Sequence, residues 1–233
     1  MIMLDSKVLD YFEKLHKNKA VYLWGANSEV ITKELIDRLY RSFNSKKYNK
    51  DYYDGKLKEG EGRIGADCSG AFKPVSGFDT TAQGYYNKCI EKDVIGKLPL
   101  SKVCLVFRKN AAGNVNHIGL YCGNGYTIEM KSSKDNCVKQ KLQRYRWTHY
   151  GIPAWISYPK VNPYPDPTRT IFKGCQGEDV KWVQWELARD GFETEIDGKI
   201  GPGADKAIRD FQKKHKLAVD GRCGPGTRRE LKK

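Results

Sequence analysis

Cys68, His117 and Glu129 form an ordered set of thiol, imidazole and carboxylate. Cys68 stands in Asp67-Cys68-Ser69-Gly70, His117 in Asn116-His117-Ile118-Gly119, and Glu129 follows twelve residues after the histidine. A thiol attacks as its thiolate, and free cysteine is mostly protonated at neutral pH, so it needs a base within reach. An imidazole can take that proton, and a carboxylate can fix the imidazole tautomer and stabilise imidazolium. The set has the parts of a nucleophile, its base and an orienting group, which makes a hydrolase or acyl-transfer enzyme the leading expectation. Taken singly, each has a plainer reading: a buried cysteine among small residues, a satisfied core histidine, a charge on a hairpin surface. Their combination is what carries the chemistry.

The elements around them must bring the three together. Residues 117–122 and 125–131 read as strands, and Gly123-Asn124-Gly125 between them suits a tight hairpin. His117 and Glu129 lie six residues on either side of Gly123, which predicts that they pair directly across the strands. Cys68 precedes Ala71-Phe72 and is expected at a helix start, where free backbone N–H groups stabilise a thiolate and contribute to an oxyanion hole. Upstream, Val8, Leu9, Phe12 and Leu15 predict an amphipathic helix over 5–17. A helix over 28–43 is expected from Val30, Ile31, Leu35 and Leu39. Residues 44–65 read as an exposed excursion in which Tyr48, Tyr52 and Tyr53 stand among lysines. A short helix after Cys68, a helix over 80–91, strands at 103–108 and 137–142, and a closing strand at 154–158 complete the unit. Helices followed by a contiguous antiparallel sheet define an α+β class.

Pro159, Pro163, Pro165 and Pro167 exclude helix and central strand, so 159–169 reads as a stiff linker between 1–158 and 170–233. The last segment contains an internal echo. Asp197-Gly198-Lys199-Ile200-Gly201-Pro202 returns 23 residues later as Asp220-Gly221-Arg222-Cys223-Gly224-Pro225. Each copy is a turn followed by a helix start with proline in the first turn. Val180, Val183 and Leu187, then Ala207, Ile208 and Phe211, mark amphipathic helices of a small three-helix bundle, with Cys223 in the core place of Ile200. Of Trp182 and Trp185, one is expected in the core and the other exposed.

Composition narrows the classes. With 39% hydrophobic and 30% charged residues in 233, wholesale disorder is excluded. No apolar run approaches the roughly 20 residues of a membrane helix, so no membrane insertion is expected. Seven cysteines without a CxxC or CxxH pair, and four histidines with none at i, i+4 spacing, support neither a disulfide framework nor zinc; no cofactor or metal is expected. The net charge is +14, with 27 basic against 17 acidic residues before Arg169 and 15 against 11 from there on. Such a balance favours a polyanionic partner: nucleic acid, anionic membrane or anionic cell wall.

Tyr22-Leu23-Trp24-Gly25, Asp67-Cys68-Ser69-Gly70 and His117-Ile118-Gly119-Leu120-Tyr121, in this order, resemble the NlpC/P60 cysteine peptidases over about residues 5–158. The resemblance implies a papain-like fold and cleavage of peptide bonds in bacterial peptidoglycan. It implies Cys68 as nucleophile, His117 as base and Glu129 as third member, a position more often histidine in that family. Tyr22, Asp67 and Ser69 match positions that line the site or contact substrate. About 40 residues separate the Tyr22 motif from Cys68, an insertion expected to shape the substrate groove.

Residues 170–233 resemble the three-helix peptidoglycan-binding domain (PG_binding_1-like), through Gly174-Cys175-Gln176-Gly177-Glu178-Asp179-Val180, Gln184, both Asp-Gly turns and Ala207 to Gln212. Together the resemblances imply an endolysin-like peptidoglycan hydrolase, cutting the γ-D-glutamyl–diamino acid bond, with an N-acetylmuramoyl-L-alanine amidase as the alternative. A Gram-positive wall is the expected partner. The start of the chain lacks a basic region followed by an apolar segment, so the expectation is synthesis in a host cytoplasm and holin-dependent release. Two other classes remain: a wall-binding protein with an inactive catalytic unit, and a nucleic-acid-binding protein, which leaves the triad unexplained.

Overall fold

The computed structural model describes residues 2–144, 146–158 and 161–233. Two compact units are distinguished. One comprises the chain to Leu98 with Val103–Cys122 and Tyr126–Tyr158; the other comprises the chain after Tyr158 with the loops Pro99–Lys102 and Gly123–Gly125.

In the first unit β1 (Met3–Leu4) runs into α1 (Asp5–Lys17), whose Val8, Phe12 and Leu15 are buried at helical spacing. β2 (Val21–Tyr22), β3 (Asn27–Val30), α2 (Lys33–Phe43), α3 (Lys50–Gly60) and β4 (Ile64–Ala66) follow. A 3-10 turn at Gly70–Phe72 leads to α4 (Lys73–Ser76) and α5 (Ala82–Asn87). β5 (Cys89–Val94), a 3-10 turn at Ile95–Lys97, β6 (Val103–Lys109), β7 (Val115–Cys122), β8 (Tyr126–Ser132), β9 (Asn136–Lys141), β10 (His149–Pro153) and β11 (Ile156–Ser157) complete it. The main sheet has the order β5-β10-β6-β7-β8-β9, and its neighbouring strands are antiparallel. Its strands alternate between two buried faces. Leu105, Phe107, Ile118, Leu120, Ile128 and Met130 join the cluster that contains Phe12 and Phe72, while Val106 and Tyr121 pack with Trp147 on the other face.

Several expected boundaries change. Residues 28–32 are not helical: Asn27–Val30 pairs with β4, and Thr32 caps α2 by accepting a hydrogen bond from the Leu35 N–H at 3.2 Å. The segment 44–65 is largely exposed, as expected, but it carries a helix that is anchored in the unit. Asn49 caps α3, Tyr53 is fully buried, and Lys56, 5% exposed, donates to Glu59 at 2.7 Å and to the Ser133 carbonyl at 2.6 Å. The helix expected over 80–91 stops at Asn87, because Cys89–Val94 becomes the edge strand beside β10. The strand closing the sheet is His149–Pro153; Ile156–Ser157 instead pairs in parallel with β1. No helix among the described residues is long and apolar enough to cross a membrane.

The second unit holds α6 (Glu178–Arg189), α7 (Pro202–Lys214) and α8 (Pro225–Leu231) around Ile171, Val183, Ile208 and Phe211. Cys223 is fully buried beside Ile200, as the echo requires, and Trp182 is the core tryptophan while Trp185 is half-buried. The two Asp-Gly turns are built alike. Gln184 donates to Asp197 Oδ1 at 2.8 Å and to the Lys199 carbonyl at 3.0 Å, and accepts from the Gly198 N–H at 2.8 Å. Gln212 repeats this with Asp220, the Arg222 carbonyl and Gly221 at 2.9, 3.1 and 3.0 Å. Each glutamine is 1% exposed and replaces water for a turn with a left-handed glycine. Gln212→Leu should strand these groups and destabilise the unit by roughly 2–4 kcal/mol. Accelerated amide hydrogen exchange at Gly221 and Arg222 checks this; unchanged protection contradicts it. The described part of the linker is a strap on these helices: Asn162 donates to the Trp182 carbonyl at 3.0 Å, and Asp166 pairs with Lys232. Pro159 and Lys160, where the linker was expected to begin, lie outside the described residues.

Burial pushes the thiols of Cys68, Cys89, Cys122 and Cys223 up to about 12 from 9.0. Because the folded chain keeps these protons longer than the unfolded one, their stabilisation is whole below pH 9.0 and is lost as pH rises toward about 12. Each thiol contributes a slope of up to about 1.4 kcal/mol per pH unit in that window. Urea midpoints should therefore fall steeply above pH 9.0; a flat alkaline profile contradicts neutral, desolvated thiols.

Candidate active site

Asp67 organises the loop that carries Cys68. Its Oδ1 accepts from the Ser69 N–H at 2.9 Å, the Ser69 hydroxyl at 3.0 Å and the Gly70 N–H at 2.7 Å, and its Oδ2 accepts from the Gly25 N–H at 3.1 Å. The two motifs, 22–25 and 67–70, are thus tied by one carboxylate. Gly70 is required by close approach: a Cβ there would lie 2.0 Å from the Ala26 carbonyl oxygen. Asp67 and Ser69 line the cleft beside Cys68, yet these bonds are internal, so both act on the loop in this structure.

Cys68 does not open a long helix. A 3-10 turn and the four-residue α4 follow it, so the donors around its sulfur are individual N–H groups: those of Ile118, Ser69 and Cys68 itself. They lower the thiol's proton affinity, but burial first and the Asp67 charge second raise it to about 12. The Ile118 N–H sets the sulfur against the strand residue next to His117.

His117 and Glu129 meet, but not directly across the strands. The register pairs Leu120 with Ile128 and Tyr121 with Thr127, which puts Glu129 opposite Gly119, two residues from the expected partner. The hairpin is centred on Asn124 rather than Gly123. Glu129 reaches His117 along the diagonal, Nε2 to Oε2 at 2.5 Å, because Gly119 has no side chain in between. A Cβ at Gly119 would lie 2.7 Å from Trp147 Cη2 and 3.2 Å from Glu129 Cβ. The Trp147 indole stacks on His117 with centroids 5.5 Å apart at 15°. Gln140 donates to Glu129 Oε1 at 2.8 Å and Arg146 to Oε2 at 3.1 Å. His117 and Glu129 are 4% and 1% exposed.

A cleft of about 650 Å3 opens onto Cys68, lined also by Trp24, Arg38, Phe43, Asp79 and Asn116. The insertion holds Trp24 there. Tyr52 accepts from the Trp24 N–H at 3.1 Å, Tyr53 donates to its carbonyl at 3.3 Å, and Tyr48 stacks on its ring at 4.7 Å and 5°. Tyr22 is buried in the same cluster as Cys68; burial, then the Cys68 and Asp67 charges, push its hydroxyl well above the usual tyrosine range.

Gln140, Arg146, Trp147 and the tyrosine support of Trp24 were not legible as site residues, since the topology gathers them from β9, the segment before β10 and the insertion. Gly119, a glycine inside a strand, was a readable sign of close approach.

The architecture is that of a two-unit α+β chain with a cysteine–histidine–glutamate arrangement and a separate helical module. Residues 176–231 match the family described as "Putative peptidoglycan binding domain", so the second unit carries that domain. The spore cortex-lytic enzyme of Bacillus cereus is 42% identical over 66 residues, which cover 28% of this chain and 26% of that enzyme. The chain thus spans about a quarter of the length of the curated relatives it matches. Among solved structures, the SleB N-terminal domain is similar at 38% identity and a TM-score of 0.28, covering 29% of this chain and 93% of that one. The NlpC/p60 domain of the peptidoglycan hydrolase SagA is similar at 14% identity and a TM-score of 0.38, covering 64% and 98%.

Proposed function

We propose that the chain is a thiol-dependent peptidoglycan hydrolase whose second unit holds it on the wall. The observation that carries this reading is the buried His117–Glu129 pair at 2.5 Å on the strand whose Ile118 N–H donates to Cys68, in a chain with a peptidoglycan-binding domain. The residues up to 158 form the catalytic unit, of papain-like type, 159–169 the connection, and 170–233 the wall-binding unit, which raises local substrate concentration.

With Nε2 held by Glu129, Nδ1 is the ring nitrogen left to take the Cys68 proton as the sulfur attacks an amide carbonyl carbon. Asp67 takes the N–H groups of Ser69 and Gly70, so the Cys68 N–H is the loop donor left for the developing oxyanion. Collapse breaks the C–N bond, the imidazolium returns the proton to the leaving amine, and an acyl thioester remains on Cys68. Water then gives a proton to His117 and attacks the thioester, and the departing sulfur regains its proton. Tyr22 lines the nucleophile's side of the site, and Asp67 and Ser69 keep its loop in place. The substrate is the stem peptide of a Gram-positive wall, cut at the γ-D-glutamyl–diamino acid bond, and the setting is that of a phage endolysin released through a membrane hole. The basic charge suits an anionic wall.

Mass spectrometry of fragments released from purified peptidoglycan tests the bond. New free amino and carboxyl ends within stem peptides support the endopeptidase. Free lactyl groups with intact stems move the assignment to the amidase. No release, with retention on walls, leaves an inactive wall-binding protein; salt-dependent retention on DNA without either marks the nucleic-acid reading.

A further inference from the structure

The carboxylate behind His117 is itself neutralised. Glu129 has a side chain 0% exposed, and its Oε2 accepts both from His117 at 2.5 Å and from Arg146 at 3.1 Å. Arg146 is a partly buried cation, its side chain 17% exposed, with its guanidinium 5.8 Å from the centroid of the Trp147 ring that stacks on His117. Gln140 occupies the other carboxylate oxygen without adding charge. Next along β7 the Ile118 N–H donates to the Cys68 thiol, and on β6 the register partner of His117 is Arg108, whose guanidinium is tied to Asn116 at 3.1 Å. The formal charges of thiol, imidazole, Glu129 and Arg146 sum to zero. They still sum to zero after the thiol proton has moved to the imidazole.

This balance has a physical consequence. A buried carboxylate without a counter-charge is unfavourable. A base that must return its proton to a leaving amine works best when it is not over-stabilised in the charged form. We propose that Arg146 is a positioning residue acting through Glu129: its guanidinium neutralises the buried carboxylate, so that His117 meets an electroneutral hydrogen-bond acceptor that fixes its orientation. The consequence for turnover rests on the hydrolase reading above; the charge coupling does not.

The test is a double-mutant cycle on the full chain: Arg146→Met, Arg146→Lys, Glu129→Gln, and Glu129→Gln with Arg146→Met together. Two measurements need no substrate, the urea midpoint and the nitrogen NMR signals of the His117 ring. Two use purified muropeptides, kcat and KM. Each single neutralisation is expected to lower the midpoint, shift the ring signals, and lower kcat about tenfold or more with KM held within about twofold. Arg146→Lys should restore most of kcat. The double variant is electroneutral again and should lie closer to wild type in midpoint, ring signals and kcat than either neutralised single variant. Additive losses in the double variant, or wild-type ring signals and kcat in Arg146→Met, would overturn the proposal. A wild-type chain that releases no peptide would end the hydrolase reading alone, and the midpoints and ring signals would still decide the role of Arg146.

Discussion

Cys68→Ala should reduce release of soluble peptide from purified walls by a factor on the order of 10⁴ or more, while retention of the protein on sedimented walls changes by less than about twofold. The sulfur is the atom that bonds the acyl group in the proposed reaction, and nothing else in the cleft replaces it. Asp67, the carboxylate next to it in the chain, already accepts from Ser69, Gly70 and Gly25, and water has no thioester to offer. The fold should tolerate the change: Cys68 is 9% exposed, small, and belongs to the main cluster with Ala66, Ala71 and Phe72, and alanine removes one heavy atom. In the proposed function, wall retention lies in residues 170–233, where nothing is altered. A loss of hydrolysis of only a few-fold would instead point to Cys68 as a packing residue. Equal losses of hydrolysis and retention would mean that the substitution had damaged the fold.

Gly119→Val should be the most damaging substitution that touches none of the reacting groups. The first added carbon meets Trp147 Cη2 at 2.7 Å and Cζ2 at 3.0 Å, and both belong to a rigid, fully buried ring. It also meets Glu129 Cβ at 3.2 Å, so neither side can yield without moving the imidazole stack or the carboxylate. Overpacking of this kind costs about 1–3 kcal/mol, and valine adds two further methyl groups. Displacement of the base by about 1 Å is enough for a loss of about 10² in rate. We therefore expect kcat to fall by about 10² or more, with a lowered urea midpoint, while binding to walls persists. A variant of wild-type kcat would show that the diagonal Glu129–His117 contact has no bearing on turnover.

Much of this site could be read from residue order, and what could not has physical causes. Cys68, His117 and Glu129 were legible because their chemistry is specific and two of them flank a glycine turn. The pairing register was not. Symmetry about Gly123 suggested a direct cross-strand pair, whereas the strands align about Asn124, and period-two alternation keeps Glu129 on the correct face after a shift of two. The helix expected through Asn27–Val30 shows the limit of apolar spacing. Val30 and Ile31 fit a helical stripe, but Thr32 is a capping residue and the preceding segment finds backbone partners in β4. The excursion 44–65 looked solvated because lysines and glycines dominate it, yet Tyr53 and Lys56 are buried by contacts far away in the chain. In the second unit the echo gave more, since a repeated turn fixes both the place of Cys223 and the need for a buried partner. Arg146 and Trp147 carried no local signal, because only the return of the chain toward β10 brings them behind His117.

Cleavage of wall fragments in the presence of hydroxylamine tests most directly whether the reaction passes through an acyl group on Cys68. Hydroxylamine competes with water for a thioester but not for an amide held at a metal- or base-activated water. The account predicts peptide hydroxamates among the wild-type products, increasing with hydroxylamine at the expense of free carboxylates, and none from Cys68→Ala. Free carboxylates alone at saturating hydroxylamine, or the same hydroxamates from Cys68→Ala, would contradict it.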